Sequence, residues 1–294
     1  MTGSPEDLAR LEPDCLASHL KEAGAVVLRG FNASVEEFEE LTKEISPEFL
    51  VHHDLGRLFI SADGTTQTVV PGTEPLLAHI ERGYTAPIPG TIFFYCDRPA
   101  ASDGETTLYD GFSMFNKLAP ETKRFYLSRR LRFKLRISRE LWERTLKTDD
   151  MAEALSIVDE QLNRVIDKAR GEEVICRVNN EAIELDFLTP ATRRSPRCDG
   201  EAFSNSALSF VRAQKVGEKG VLALASIDLL QEDNSEFPQT ILDDTLAAAS
   251  NVEIKLKWSH GDMAFVDNRT VLHGRAAFTD PERNIFVRIG MGTV

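Results

Sequence analysis

The apolar positions change period several times along the chain, and each change marks an element. Near the N-terminus, "PEDLARL" and "CLASHLKEAG" carry apolar residues at helical spacing, with Gly24 as the expected stop. "AVVLRGF" follows as a continuous apolar run of the kind that forms a buried strand. "SVEEFEELTKEI" then returns to a helical period, with Ser34 as its cap and Phe38, Leu41 and Ile45 along one face. From Val51 to Asp110 the pattern breaks into short extended pieces punctuated by Gly and Pro: "RLFISADG", "TQTVVPG", "LLAHIERGY", "GTIFFYCDRP" and "TTLYDG". Residues 113–170 change character, and the stretch beginning "RELWERTLKTDDMAEALSIVDEQL" is charged and apolar at helical intervals, which predicts a helical insertion over one side of a sheet. Short strands then return in "EVICRV", "EAIELDFL", "VEIKLKW", "DMAFVDN" and "NIFVRIGM", with a helix expected around "DDTLAAASN".

There is no internal repeat, and helices and strands do not alternate as a doubly wound fold requires. Helices first, then two batches of strands separated by a helical excursion, predict an α+β, mainly β chain. The expectation is one domain over 1–294 with a jelly-roll core, flanking helices and the insertion at about 113–170.

Composition narrows the function. With 294 residues, 42% hydrophobic and 28% charged, the chain can bury a substantial core. A net charge of −13 argues against a general grip on phosphate backbones or anionic membranes, so neither nucleic acid nor membrane is expected as a partner. No secretory signal or membrane-crossing run is apparent, and Cys15, Cys96, Cys176 and Cys198 are widely spaced with no C-x-x-C pair. Free thiols in a reducing cytoplasm fit that spacing, with Cys96 as core filler.

The candidate chemistry lies in "LLAHIERGY". If this stretch is extended, His79 and Glu81 project from one face, because strand side chains alternate with a period of two. Such a pair can be a metal site, a buried ion pair or a solvated edge. Of the other histidines, His19, His52, His53 and His260 have ordinary surface or loop readings, and adjacent His52 and His53 would face opposite ways. His273 ends "GDMAFVDNRTVLHGR", a strand, a polar turn and a second strand, with Gly274 allowing close backbone approach. A barrel could bring it beside His79 and Glu81. Two neutral imidazoles and a carboxylate on one side of an ion leave the other side open, as a non-haem iron(II) oxygenase needs.

Taken together and in order, "GAVVLRGF", "LLAHIERGY", "PGTIFFYCDRPAASDGETTLYDG", "RCDGEAFSNSALSF" and "GDMAFVDNRTVLHGRAAFTDPERNIFVR" resemble the taurine dioxygenase family of iron(II)- and 2-oxoglutarate-dependent oxygenases, over nearly the whole chain. The clavaminate synthase-like branch is the nearest likeness, because the family's usual His-x-Asp stands here as His-x-Glu. The resemblance implies a double-stranded β-helix, cupin-like core. It implies iron(II) on His79, Glu81 and His273, with 2-oxoglutarate and O2 as cosubstrates. It places Thr106 near the distal carboxylate of 2-oxoglutarate, with Thr107 as the fallback.

For the arginine that clamps that carboxylate, the family shows two arginines four apart, whereas Arg283 and Arg288 are five apart in "PERNIFVR" and so face opposite ways in a regular strand. Arg288 is preferred over Arg283, and Arg275 is a third candidate. The activity implied is hydroxylation of an amino-acid-like or natural-product small molecule in secondary metabolism, with release of succinate and CO2. Desaturation, epoxidation and cyclisation are alternatives from the same centre. Glu81 argues against halogenation, because related halogenases lack the carboxylate ligand. The segment holding Gln67 and Thr68, with loops of the insertion, is expected to line the substrate pocket. A carrier protein and a second copy of the chain stay open as partners. The rivals from other classes are a non-catalytic jelly-roll binding protein and a zinc hydrolase.

Overall fold

A computed structural model of the chain describes residues 1–52, 56–195, 197–210 and 225–292. The N-terminal helices begin and end where local chemistry demands. Helix α1 (Pro5–Leu8) is followed by α2 (Pro13–Ala23), which stops at Gly24 with φ 77°, a left-handed conformation that glycine adopts without a Cβ penalty. After strand β1 (Ala25–Leu28), α3 (Val35–Ile45) opens on a reciprocal cap. The Glu37 N–H donates to Ser34 Oγ, and the Ser34 N–H donates to the Glu37 carboxylate.

Two antiparallel sheets carry the core. One has the order β1, β14 (Met263–Asp267), β5 (Thr91–Arg98), β16 (Asn284–Gly290) and β2 (Phe49–Leu50), with β3 (Gln67–Thr68) also on β16. The other has the order β13 (Glu253–Leu256), β6 (Thr106–Asp110), β15 (Val271–Arg275) and β4 (Leu76–His79). Alternation along β5 sorts the layers. Ile92, Phe94 and Cys96 join Leu108, Leu256 and Val271 of the second sheet in one buried cluster. Phe93 and Tyr95 turn the opposite way, onto Leu16, Leu20 and Phe38 of the N-terminal helices. Each such aromatic contributes about 1.5–3 kcal/mol by leaving water.

The outer face of the second sheet packs against α4 (Gly111–Lys117), α5 (Pro120–Leu127) and α8 (Gln239–Val252), where Tyr109 and Leu272 meet Met114, Phe125 and Ala248. A short hairpin, β10 (Thr192–Arg194) with β11 (Glu201–Phe203), abuts α4.

The stretch 113–170 is not purely helical. It holds α6 (Arg139–Leu146) and α7 (Met151–Val165), but also β7 (Arg130–Ile137), whose "RLRFKLRI" alternates with period two and buries Leu131 and Phe133. Strands β8 (Glu173–Asn179) and β9 (Ala182–Pro190), expected to rejoin the core, instead form a separate sheet ordered β12 (Ala225–Gln231), β7, β9, β8. Trp142, Ala154 and Val158 seal α6 and α7 onto Ile183 and Leu185 of β9. Mainly antiparallel sheets with flanking helices are what the sequence predicted. Among the described residues no helix is long and apolar enough to cross a membrane.

Candidate metal and cosubstrate site

Strand β15 lies between β4 and β6, pairing His273 with His79 on one side and with Leu108 on the other. Two residues from opposite ends of the chain thus become cross-strand neighbours, with ring centroids 4.3 Å apart. The close fit needs Gly274. A Cβ there would lie 2.5 Å from the Leu76 carbonyl oxygen and 2.7 Å from Thr107 Oγ1, too near for any other residue.

Glu81 reaches the same place differently from what an extended His-x-Glu predicts. β4 ends at His79, and Glu81 sits in a turn in which the Gly83 N–H donates to the Ile80 carbonyl and Arg82 has φ 56°. Asn268, in the turn between β14 and β15, holds that backbone. Its Oδ1 accepts the Glu81 N–H at 2.7 Å, and its Nδ2 donates to the Glu81 carbonyl at 3.2 Å and to the Pro89 carbonyl at 3.0 Å. One ligand atom from each of His79, Glu81 and His273 lies within 4.8 Å of the others. Donors about 2.1 Å from a shared ion stand about 3–4 Å apart, so small side-chain adjustments complete a common sphere.

The electrostatics suit an ion. Burial, with the charge of His273 acting the same way, pulls His79 down to about 4 against the opposing pull of Glu81, so the ring is neutral at pH 7. Its Nδ1 is 2.7 Å from the Leu77 carbonyl, which assigns the proton to Nδ1 and leaves the Nε2 lone pair free. Burial works to raise the Glu81 carboxyl, but the Arg57 guanidinium and the neighbouring histidines outweigh it and hold Glu81 well below the usual carboxylate range. Glu81 Oε2 is 3.8 Å from His273 Nε2, and Oε1 is 3.2 Å from Arg57 Nη2. The His273 ring also stands edge-on to Phe94, with centroids 5.4 Å apart. Two imidazoles and one ionised carboxylate, with Glu81 and His273 buried and His79 half-buried, form a donor set that fits iron(II).

These residues floor a recess open to solvent, whose apolar walls include Val69, Val70, Leu76 and Val287. Thr106 lines it; its Oγ1 accepts a hydrogen bond from Trp258 Nε1 at 3.0 Å, and among the described residues its own proton has no acceptor and can be donated into the recess. Thr107, one residue on in β6, is not among the lining residues.

The preferred arginine is the one the structure does not bring in. Arg288 points to the other side of β16, where its guanidinium lies over Phe49 and donates to the Glu39 carbonyl and Thr65 Oγ1. Five-residue spacing does put the two arginines on opposite faces, and Arg283 is on the open side with Val287. Arg283 Nε donates to the Gly104 carbonyl at 2.8 Å. Among the described residues its terminal nitrogens have no hydrogen-bond partner, and burial, reinforced by Arg275, pulls its guanidinium down to about 10, still charged at neutral pH. Arg275 also lines the recess, but its Nη1 donates to the Val70 carbonyl and its Nε and Nη2 to the Glu74 carbonyl, so its hydrogen bonds go to backbone.

Gln67 and Thr68 are not pocket residues; Gln67 exchanges two hydrogen bonds with the His52 backbone. His19 and His260 bond backbone carbonyls at the surface, and His53 lies outside the described residues. Cys96 is fully buried, and burial raises its thiol to about 12. Arg57, Trp258 and Asn268 received no role from sequence. The only signal for Asn268 was its place in the polar turn before His273.

A family model described as "Taurine catabolism dioxygenase TauD, TfdA family" matches residues 3–289. The dapdiamide synthesis protein DdaC of Enterobacter agglomerans is 25% identical over 293 residues, covering 92% of this chain and 83% of that protein. A clavaminate synthase-like protein of Arabidopsis thaliana is 21% identical over 289 residues, covering 91% and 82%. Among solved structures, PvcB of Pseudomonas aeruginosa shares the fold with a TM-score of 0.55 at 14% identity, covering 97% of this chain and 82% of that one. With a family match spanning almost its full length, the chain belongs to the taurine catabolism dioxygenase (TauD, TfdA) family and is an iron(II)- and 2-oxoglutarate-dependent oxygenase.

Proposed function

We propose that His79, Glu81 and His273 hold the iron(II), that Arg283 and Thr106 receive the distal carboxylate of 2-oxoglutarate, and that the enzyme hydroxylates an amino-acid-like small molecule of secondary metabolism. The two core sheets are read as a double-stranded β-helix, or jelly roll, in one domain, acting in the cytoplasm. The observation that carries this reading is the convergence of the three ligand atoms within 4.8 Å, from residues up to 194 positions apart, in a recess with Arg283 at its side.

When bound there, the iron and 2-oxoglutarate supply the oxidising chemistry, with succinate and CO2 as coproducts. The chain's own residues do the rest. His79 presents a lone pair whose direction is fixed by the Leu77 carbonyl, and Glu81 brings the compensating negative charge on a backbone gripped by Asn268. Arg283 offers two terminal nitrogens to a planar carboxylate, the geometry a guanidinium serves best, while the Thr106 hydroxyl adds a neutral donor. Val69, Val70, Leu76, Phe94 and Val287 keep the reacting region poor in water.

The natural-product setting is supported by DdaC, named for dapdiamide synthesis, and PvcB, described as an oxygenase of an isonitrile synthetic pathway; a neighbour described as an asparagine oxygenase supports an amino-acid-like substrate. The test is release of labelled succinate from 2-oxoglutarate across a panel of amino acids and natural-product intermediates. Stimulation by members of the panel, lost in Glu81→Ala, supports the reading; 2-oxoglutarate turnover that no longer needs Glu81 overturns it.

A further inference from the structure

The recess holds one more cation than the cosubstrate accounts for. Each nitrogen of Arg275 already bonds a backbone carbonyl and Arg283 is assigned to 2-oxoglutarate, which leaves Arg57. Its side chain is only 5% exposed, and its guanidinium faces the recess 3.2 Å from Glu81 Oε1. Among the described residues, Glu81 is its sole partner through Nη2, while Nε and Nη1 are buried without any hydrogen bond. A guanidinium cannot shed its proton to escape such a site, and leaving a buried charge half-satisfied is costly.

Glu81 can serve an ion through Oε2 and keep Arg57 on Oε1, but its single negative charge is then shared between two cations. Arg57 thus lines the recess with an under-compensated charge and two buried coplanar nitrogens, Nε and Nη1, that have no bond among the described residues. The two carboxylates of 2-oxoglutarate are already committed, one to the ion and one to Arg283. Among the described residues Glu81 is the only anionic partner of Arg57, and a substrate anion would supply the missing charge.

We propose that Arg57 is a specificity-determining residue that selects substrates by a carboxylate group, holding it beside the iron site with the donors that Glu81 leaves free. This rests on the iron reading above and sharpens its substrate class, which becomes carboxylate-bearing molecules oxidised at carbons close to that carboxylate rather than at the far end of a long chain. A planar carboxylate is preferred over a neutral amide of the same size because only the anion both pairs with the charge and accepts two N–H groups.

The test uses acetate and acetamide, isosteres that differ in charge, titrated calorimetrically into the full chain loaded with Mn(II) and 2-oxoglutarate. The expected result is acetate binding at least about tenfold tighter than acetamide in the native chain, as a charge-assisted pair implies. Metal loading should strengthen acetate binding. Arg57→Gln should erase the preference and Arg57→Lys keep part of it, while 2-oxoglutarate affinity stays unchanged and Mn(II) affinity is equal or tighter. An acetate preference that survives in Arg57→Gln, or a loss of 2-oxoglutarate affinity in that variant, overturns the proposal. A chain that binds Mn(II) and 2-oxoglutarate yet treats the two probes alike sinks this proposal alone; a chain that binds neither sinks the iron reading with it.

Discussion

The carboxamide of Asn268 clasps the main chain of Glu81 on both sides, accepting its N–H at 2.7 Å and donating to its carbonyl at 3.2 Å. A side chain five residues before His273 therefore positions the acid two residues after His79, and one turn ties together the two halves of the site. Glu81 needs this clasp because β4 has already ended at His79 and no ladder fixes it.

Asn268→Ala should consequently weaken metal binding by about 10- to 100-fold, the usual cost of losing an outer support, while the chain stays folded. Mn(II) affinity by calorimetry, with circular dichroism as the folding control, checks this. Unchanged affinity would show that the turn around Glu81 holds itself.

Arg283 and Arg288 separate cleanly. Arg283→Ala should raise the KM for 2-oxoglutarate by about 10- to 150-fold, the value of hydrogen bonds to a charged group, with little change in melting temperature. Arg288→Ala should do the reverse. It removes a buried guanidinium from over Phe49 and its bonds to Glu39 and Thr65, lowering stability and leaving that KM alone. Steady-state kinetics and thermal melts on both variants decide the assignment.

Much of this site is written in the sequence, and the parts that are not have physical reasons. The convergence of His79, Glu81 and His273 is legible because they lie in an ordered set of motifs, and Gly274 marks where strands crowd. Facing along β16 is legible too, since five-residue spacing correctly separates Arg283 from Arg288. Which face opens to the recess depends on the layers above and below, and α3 covers the Arg288 side. Strand β7 shows its period in "RLRFKLRI" but was overshadowed by the helical stretch after it. Arg57 was not legible, because a residue on an irregular loop carries no periodicity to say which way it points.

Acid should weaken the metal-free protein through His79. Its folded value of about 4 lies below the ordinary 6.5, so the stabilisation is fully present above pH 6.5. It declines as the pH falls, because the unfolded chain takes up the proton first, and is gone once the pH passes below 4. The loss is on the order of 3 kcal/mol. Urea midpoints of metal-free protein between pH 7.5 and pH 4 should fall more steeply for the native chain than for His79→Gln; parallel curves would show that the ring is not held neutral.

The most direct test of the central claim is anaerobic titration of iron(II) into the protein with 2-oxoglutarate present, following the weak visible absorption of the chelate. The account predicts that the band grows to one iron per chain and disappears in Glu81→Ala and His273→Ala. Iron that binds without the band, or a band of undiminished strength in both variants, would contradict it.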